Sequence, residues 1–276
     1  MKANTEHRAS GVGMRAEDKG LRARVRIRAS VFGVRCSMLG IRGAAIILAA
    51  ATALAVRAAP QSPVDLRAFE AIPVLEGGRP MPMSAYARVA MLQMAGRGTW
   101  QGGPASHWLA RALFESDATT NDAVFLISHP DTFDALGIAT EKPRRRVAYA
   151  ELEPVLAKLH DLTTRAMELK PADRTPADRD LLQLGSAVAL YAAFSRGDHP
   201  GILPRDGGHG AWLAPSEAAT ETDDPARAVS GGWEKLRAAW RDRDDAAFTA
   251  AAQEVRAAVL RGVDDPKAGA RLKGEE

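Results

Sequence analysis

Two long amphipathic stretches joined by a short proline-flanked connector constrain this chain more than any other feature. From about Ala150 to Leu169 the apolar residues Leu152, Val155, Leu156, Leu159, Leu162 and Ala166 recur at helical spacing. Pro171-Ala172-Asp173-Arg174-Thr175-Pro176 then interrupts the pattern. Thr175 with Asp178 has capping-box spacing, and Pro176 suits the first helical position. The next helix reaches about Phe194. Two long helices with so short a connector must run antiparallel, as an αα-hairpin. A second hairpin closes the chain, from Gly232 to about Arg241 (Trp233, Leu236, Trp240) and from Asp245 to about Leu260 (Phe248, Ala252, Val255, Val259). The expected fold is mainly α: helical hairpins with at most a small two-stranded sheet, its strands being Val124–Ile127 and Arg144–Val147.

The N-terminal half supplies the other elements. Residues 60–71 are a lead-in able to dock Leu66 and Phe69. A helix from Pro104 to about Glu115 buries Ala105, Trp108, Leu109, Ala112 and Leu113, with His107, Arg111 and Glu115 on the opposite face as surface pairs. Ser128-His129-Pro130-Asp131 starts a further helix that Gly137 stops. Residues 196–231 read as loop. Trp212 marks a part of it that docks, since a loop of that length is functional or disordered.

Ahead of all this lies a targeting segment. Residues 1–42 are basic, and the apolar run Gly43–Val56 has 14 residues, where a membrane-spanning helix needs about 20. A cleaved secretory signal is favoured over a retained anchor, with cleavage after Ala55 or Ala58. The expected layout is 1–59 as basic region and signal peptide or anchor, 60–262 as an exported helical domain, and 263–276 as a polar tail. The chain has 37 Lys/Arg and 34 Asp/Glu, of which residues 1–59 hold 11 and 3. The exported part is left with 26 and 31, a formal net of −5, which argues against nucleic acid as a partner. The one cysteine, Cys36, precedes the apolar run. No disulfide, thiolate metal site or C-x-x-C pair follows it.

The most particular stretch is Ile72-Pro73-Val74-Leu75-Glu76-Gly77-Gly78-Arg79-Pro80-Met81-Pro82-Met83-Ser84-Ala85-Tyr86-Ala87-Arg88. Gly77-Gly78 signals a turn, and a Cβ at Gly78 is expected to be disfavoured. Pro80 and Pro82 hold the chain extended. Ser84 is expected to cap a helix from Ala85 to about Ala95 that Gly96 ends. Arg79 is expected to bond carbonyls or carboxylates, inside the domain or on a partner.

Catalytic signals are sparse. His107, His129, His160, His199 and His209 show no zinc spacing. His129 reads as a helix cap. No histidine sits on an evident apolar face, so weak or no haem binding is expected of the isolated domain. There is no G-x-S-x-G elbow, no phosphate-binding loop and no spaced carboxylate pair. Arg144-Arg145-Arg146 suits acidic headgroups or a propionate, and is read as a solvated charge run. Trp100, Trp108, Trp212, Trp233 and Trp240 read as core and docking anchors.

The pattern Ile72-Pro73-Val74, Gly77-Gly78-Arg79, Pro82, Tyr86-Ala87-Arg88 resembles the extracytoplasmic segment of system II, CcsA-like cytochrome c biogenesis proteins, which reads roughly "PVQ, GGR, x-x-P, T-x-A-R". Weaker likenesses are Ser106-His107-Trp108-Leu109, Phe125-Leu126-Ile127 with Phe133–Gly137, Tyr149-Ala150-Glu151-Leu152, and the last hairpin from Ala238 through Phe248, so that residues 66–262 are covered. Leu75 stands where the family often has Gln, and Met83-Ser84 where a small acidic or Thr pair is usual. The resemblance implies a non-catalytic accessory domain in cytochrome c maturation, on the periplasmic or other extracytoplasmic face, with no cofactor of its own. It implies docking on a membrane haem-handling protein, with Gly77, Gly78, Arg79, Pro82, Tyr86 and Arg88 as docking residues. The family's membrane helices and haem-handling residues are not carried over to this chain. The alternative reading is an exported helical adaptor unrelated to haem, and a third is an exported hydrolase or metal enzyme.

Overall fold

Glycine punctuation opens the fold. A computed structural model of the chain describes residues 64–205 and 210–263, which fall within one compact unit. The apolar run 43–56, His209 and the tail from Asp264 lie outside the described residues. A one-turn helix α1 (Arg67–Glu70) leads to β1 (Pro73–Glu76) and β2 (Arg79–Pro82), an antiparallel pair with Glu76 opposite Arg79 and Pro73 opposite Pro82. Gly77 and Gly78 join them at φ +56° and +76°. Two successive positive φ values make the two-residue turn whose twist matches a hairpin, and glycine takes them without strain.

Helix α2 (Met83–Ala95) follows directly, and Gly96 ends it at φ +64°. Its start corrects the sequence reading. Ser84 is not the cap; Pro82 holds that position with extended backbone and no side-chain bond. The reason lies in the hairpin, because the Met83 amide donates to the Ile72 carbonyl at 2.8 Å. An amide that a helix start leaves open thus finds a backbone partner.

A ribbon of β3 (Thr99–Trp100) and β4 (Gly103–Pro104) precedes α3 (Ala105–Phe114). Then β5 (Phe125–Ile127) and β6 (Arg145–Val147) pair antiparallel around α4 (Pro130–Leu136). These are the two strands read from the sequence. With the other two ribbons they are the strand pairs among the described residues, and helix dominates the rest. The helix expected from Ala150 to Leu169 is broken. A turn of helix, α5 (Tyr149–Leu152), passes through a 3-10 turn (Glu153–Val155) into α6 (Leu156–Glu168). Pro154 is the cause, since it has no N–H for the helical ladder and its ring collides with the preceding turn. Helix α7 (Pro176–Arg196) starts as expected. The Thr175 hydroxyl accepts from the Asp178 amide at 3.1 Å, and the Asp178 carboxylate accepts from the Thr175 amide at 2.8 Å.

The long loop is shorter than its composition implies. A turn of helix, α8 (Pro215–Ala218), lies inside it, and α9 runs Asp224–Asp242. Gly231-Gly232 therefore do not start a helix; they lie within one. The Asp223 carboxylate caps it by accepting from the Ala226 amide at 2.8 Å, and Pro225 stands in its first turn. Helix α10 (Asp245–Arg261) completes the second hairpin.

Two aromatic clusters hold these elements. Tyr86 of α2 meets Phe194 of α7 edge-on at 6.2 Å, and Phe194 meets Trp108 of α3 at 6.4 Å. Phe69 of α1, Phe114 of α3 and Phe248 of α10 lie within 6.0 Å of one another, and Phe114 also meets Trp233 and Trp240 of α9. Trp108, Trp212, Trp233 and Trp240 are buried, so the loop does dock through Trp212. Burying one such side chain contributes about 2–3 kcal/mol, so these rings make a large share of the core.

Candidate functional site

The opening hairpin is a projecting tip on a fixed base. At the base, Pro73 and Val74 are buried, and the Leu75 amide donates to the Gly201 carbonyl at 2.9 Å. That bond ties the hairpin to the long connection after α7, which is tied in turn by the Leu203 and Leu213 pairing. At the tip, Gly77, Gly78, Arg79 and Pro80 are exposed. A Cβ on Gly78 would meet no atom within 4 Å, so the turn demands glycine through its positive φ and not through crowding. The Arg79 guanidinium makes no hydrogen bond or ion pair among the described residues.

The six docking candidates do not form one surface. Gly77, Gly78 and Arg79 share the tip. Pro82 is exposed where the hairpin passes into α2. Tyr86 is 1% exposed, packed on Phe194, and so belongs to the core. Burial, with the Glu76 carboxylate nearby, pushes its phenol far up from the ordinary range. Its hydroxyl has no hydrogen-bond partner among the described residues. Arg88 is exposed but stands apart from the tip, its Nε 3.8 Å from where a Cβ on Gly98 would be.

Polar groups elsewhere act mostly as clamps. Asp180 of α7 is buried and accepts from the amides of Ser128 and His129 at 3.1 and 3.2 Å, and from the Ser128 hydroxyl. His129 caps α4 by accepting from the Asp131 amide at 3.3 Å. Serine, histidine and aspartate thus meet, but the hydroxyl bonds the carboxylate and the imidazole faces the helix. The pair needed for a nucleophile and its base is not formed. Among the described residues no group of three His, Cys, Asp or Glu could hold a metal ion, and no helix is long and apolar enough to cross a membrane.

Two surface readings change. Arg111 and Glu115 do not pair along α3. Arg111 bonds Asp122 at 3.0 Å and lies over the Trp100 ring, and Glu115 accepts from Arg243 and Trp240 of the second hairpin. The run Arg144–Arg146 is not simply solvated. Arg145 bonds Glu151 at 2.9 Å and lies over Phe133. Arg146 donates to the Ala95 carbonyl at 2.7 Å. His160 is exposed, as a surface histidine is. It lines a groove of about 480 Å³ between α6 and α7, whose walls include Tyr149, Leu156, Leu159, Met167 and Val188. The sequence hid this because the groove's apolar wall comes from two helices, and no single one displays it.

Comparison with protein-family models and with curated proteins finds no match for this chain.

Proposed function

We propose that this chain is an exported helical docking domain that assists cytochrome c maturation and does no chemistry itself. It docks on a membrane haem-handling protein and presents the tip of its opening hairpin to it. The observation that supports this most is Arg79, exposed on a projecting turn with no bond inside the described fold. A guanidinium offers five donors in a planar fork and suits a carboxylate or a row of carbonyls on another protein. The resemblance of Ile72–Arg88 to the extracytoplasmic segment of CcsA-like proteins supplies the kind of partner. The clamp made by Ser128, His129 and Asp180 is consistent with a binding role, because its polar groups are already engaged.

The experiment places a photo-crosslinking residue at Pro80, beside Arg79, and exposes the exported part to native membranes. The expected product is a polytopic membrane protein that carries haem. Arg79→Lys is expected to lower the yield several-fold while the melting temperature stays unchanged. A haem-free product selects the adaptor unrelated to haem. If Arg79→Lys lowers the melting temperature and leaves capture by the folded fraction intact, the hairpin is scaffold and the proposal is wrong.

A further inference from the structure

Four arginines gather toward the carbonyl end of α2. The Arg146 Nε bonds the Ala95 carbonyl, the last residue of the helix. An Arg144 guanidinium nitrogen stands 3.8 Å from where a Cβ on Gly96 would be, and the Arg88 Nε is as close to Gly98. Arg97 lies between those glycines, and its Nε is buried without a hydrogen-bond partner among the described residues. Burial, with the charges on Arg97 and Arg144 added to it, draws the Arg146 guanidinium below its ordinary value. None of the four makes an ion pair among the described residues. Arg111, Arg145, Arg205 and Arg243 all do.

Helix geometry accounts for part of this. The carbonyl end of a helix carries roughly half a negative charge and attracts cations. Half a charge does not balance four. Nor does composition explain the cluster, since the exported part is acidic overall. No ion pair among the described residues supplies the balancing charge. On the same helix Val89 and Leu92 are 41% and 56% exposed, one and four residues beyond Arg88. Guanidinium groups beside exposed aliphatic side chains fit the headgroup layer of a bilayer, where phosphates lie above the acyl boundary. An acidic peptide would satisfy the arginines and leave Val89 and Leu92 without a role.

We propose that the carbonyl end of α2 binds an anionic membrane surface. Arg88, Arg97, Arg144 and Arg146 donate to lipid phosphates, and Val89 and Leu92 enter the interface. This stands apart from the haem reading and survives its failure. Residues 60–276, checked first for a cooperative melt, are sedimented with vesicles of phosphatidylcholine, with and without phosphatidylglycerol. Binding is expected only with phosphatidylglycerol, and it falls as salt is raised. Each arginine is worth about fivefold in partition. Arg88→Gln with Arg144→Gln therefore lowers binding about 25-fold, with an unchanged melt because both side chains are exposed. Leu92→Ser lowers it further. Equal binding to neutral vesicles, or arginine variants that bind as well as the parent, overturns the proposal. So does capture of poly-glutamate without vesicle binding, which assigns the cluster to an acidic protein segment.

Discussion

The two helical hairpins follow one sequence pattern, yet only one of them is closed by the rest of the fold. Each brings its helices together at a glycine. A Cβ on Gly232 of α9 would meet the Val255 side chain of α10 at 2.6 Å, and one on Gly185 of α7 would meet the Thr163 side chain of α6 at 2.7 Å. The difference lies in what arrives from elsewhere. Phe69 of α1 and Phe114 of α3 enter the second hairpin and stack with Phe248, Trp233 and Trp240. In the first hairpin, α7 turns Tyr191 and Phe194 away from α6, toward Phe125, Trp108 and Tyr86. The α6 side keeps an open apolar groove with Met167 59% exposed at its edge. A helical hairpin buries its seam by itself; burying its flanks needs a third element.

The largest effect that can break this comparison is at Phe248. It is fully buried against three aromatic partners, Phe69, Phe114 and Trp240, so Phe248→Ala is expected to cost about 3–5 kcal/mol in denaturant unfolding. Met167→Ala in the other hairpin is expected to stay within about 0.5 kcal/mol. Similar losses at both sites would mean that the groove is as well packed as the closed hairpin.

The glycines sharpen it. Alanine in place of a mid-helix glycine gains about 1 kcal/mol from backbone entropy, and overpacking costs about 1–3 kcal/mol. Val255 is fully buried and stiff at its branched Cβ, so Gly232→Ala is expected to lose net stability. Thr163 lines the open groove but is also branched at Cβ, and its hydroxyl donates to the His160 carbonyl at 2.8 Å, so Gly185→Ala is expected to lose stability too, but less than Gly232→Ala. Matched shifts in the unfolding midpoint of the two variants would remove the distinction.

How far the sequence foretold this depends on whether a signal was local. Thr175, Pro176 and Asp178 act within one helical turn, and their capping could be read directly. The same holds for Gly78, His129 and the strands 124–127 and 144–147. The failures were of two kinds. At Ser84 a local rule lost to a distant partner, because the Ile72 carbonyl supplied the bond that a cap would have made. At Gly231-Gly232 a breaker signal outweighed the better start at Asp223-Asp224-Pro225, although glycine inside a helix serves close packing. The candidate site was legible as a turn, but not in its partition. Nothing local marks Tyr86 as core and Arg79 as tip, since burial is set by α7. The arginine cluster joins residues 88 and 97 to residues 144 and 146 through the pairing of β5 with β6, which no spacing rule reaches.

The smallest expected effect is at His160. Its imidazole is exposed on the groove wall, so His160→Ala is expected to change stability by less than about 0.5 kcal/mol. The same residue tests whether the open hairpin holds a ligand. Tight haem binding needs an axial ligand inside an apolar pocket, and here an imidazole does lie beside Leu156, Leu159 and Met167. The groove is open, however, and water competes for the iron on its exposed side. Titration of residues 60–276 with haem is therefore expected to give a broad, weak change in the Soret band. A sharp band lost in His160→Ala and kept in His199→Ala would reverse that expectation, and the groove of the first hairpin would then be a binding site and not only incomplete packing.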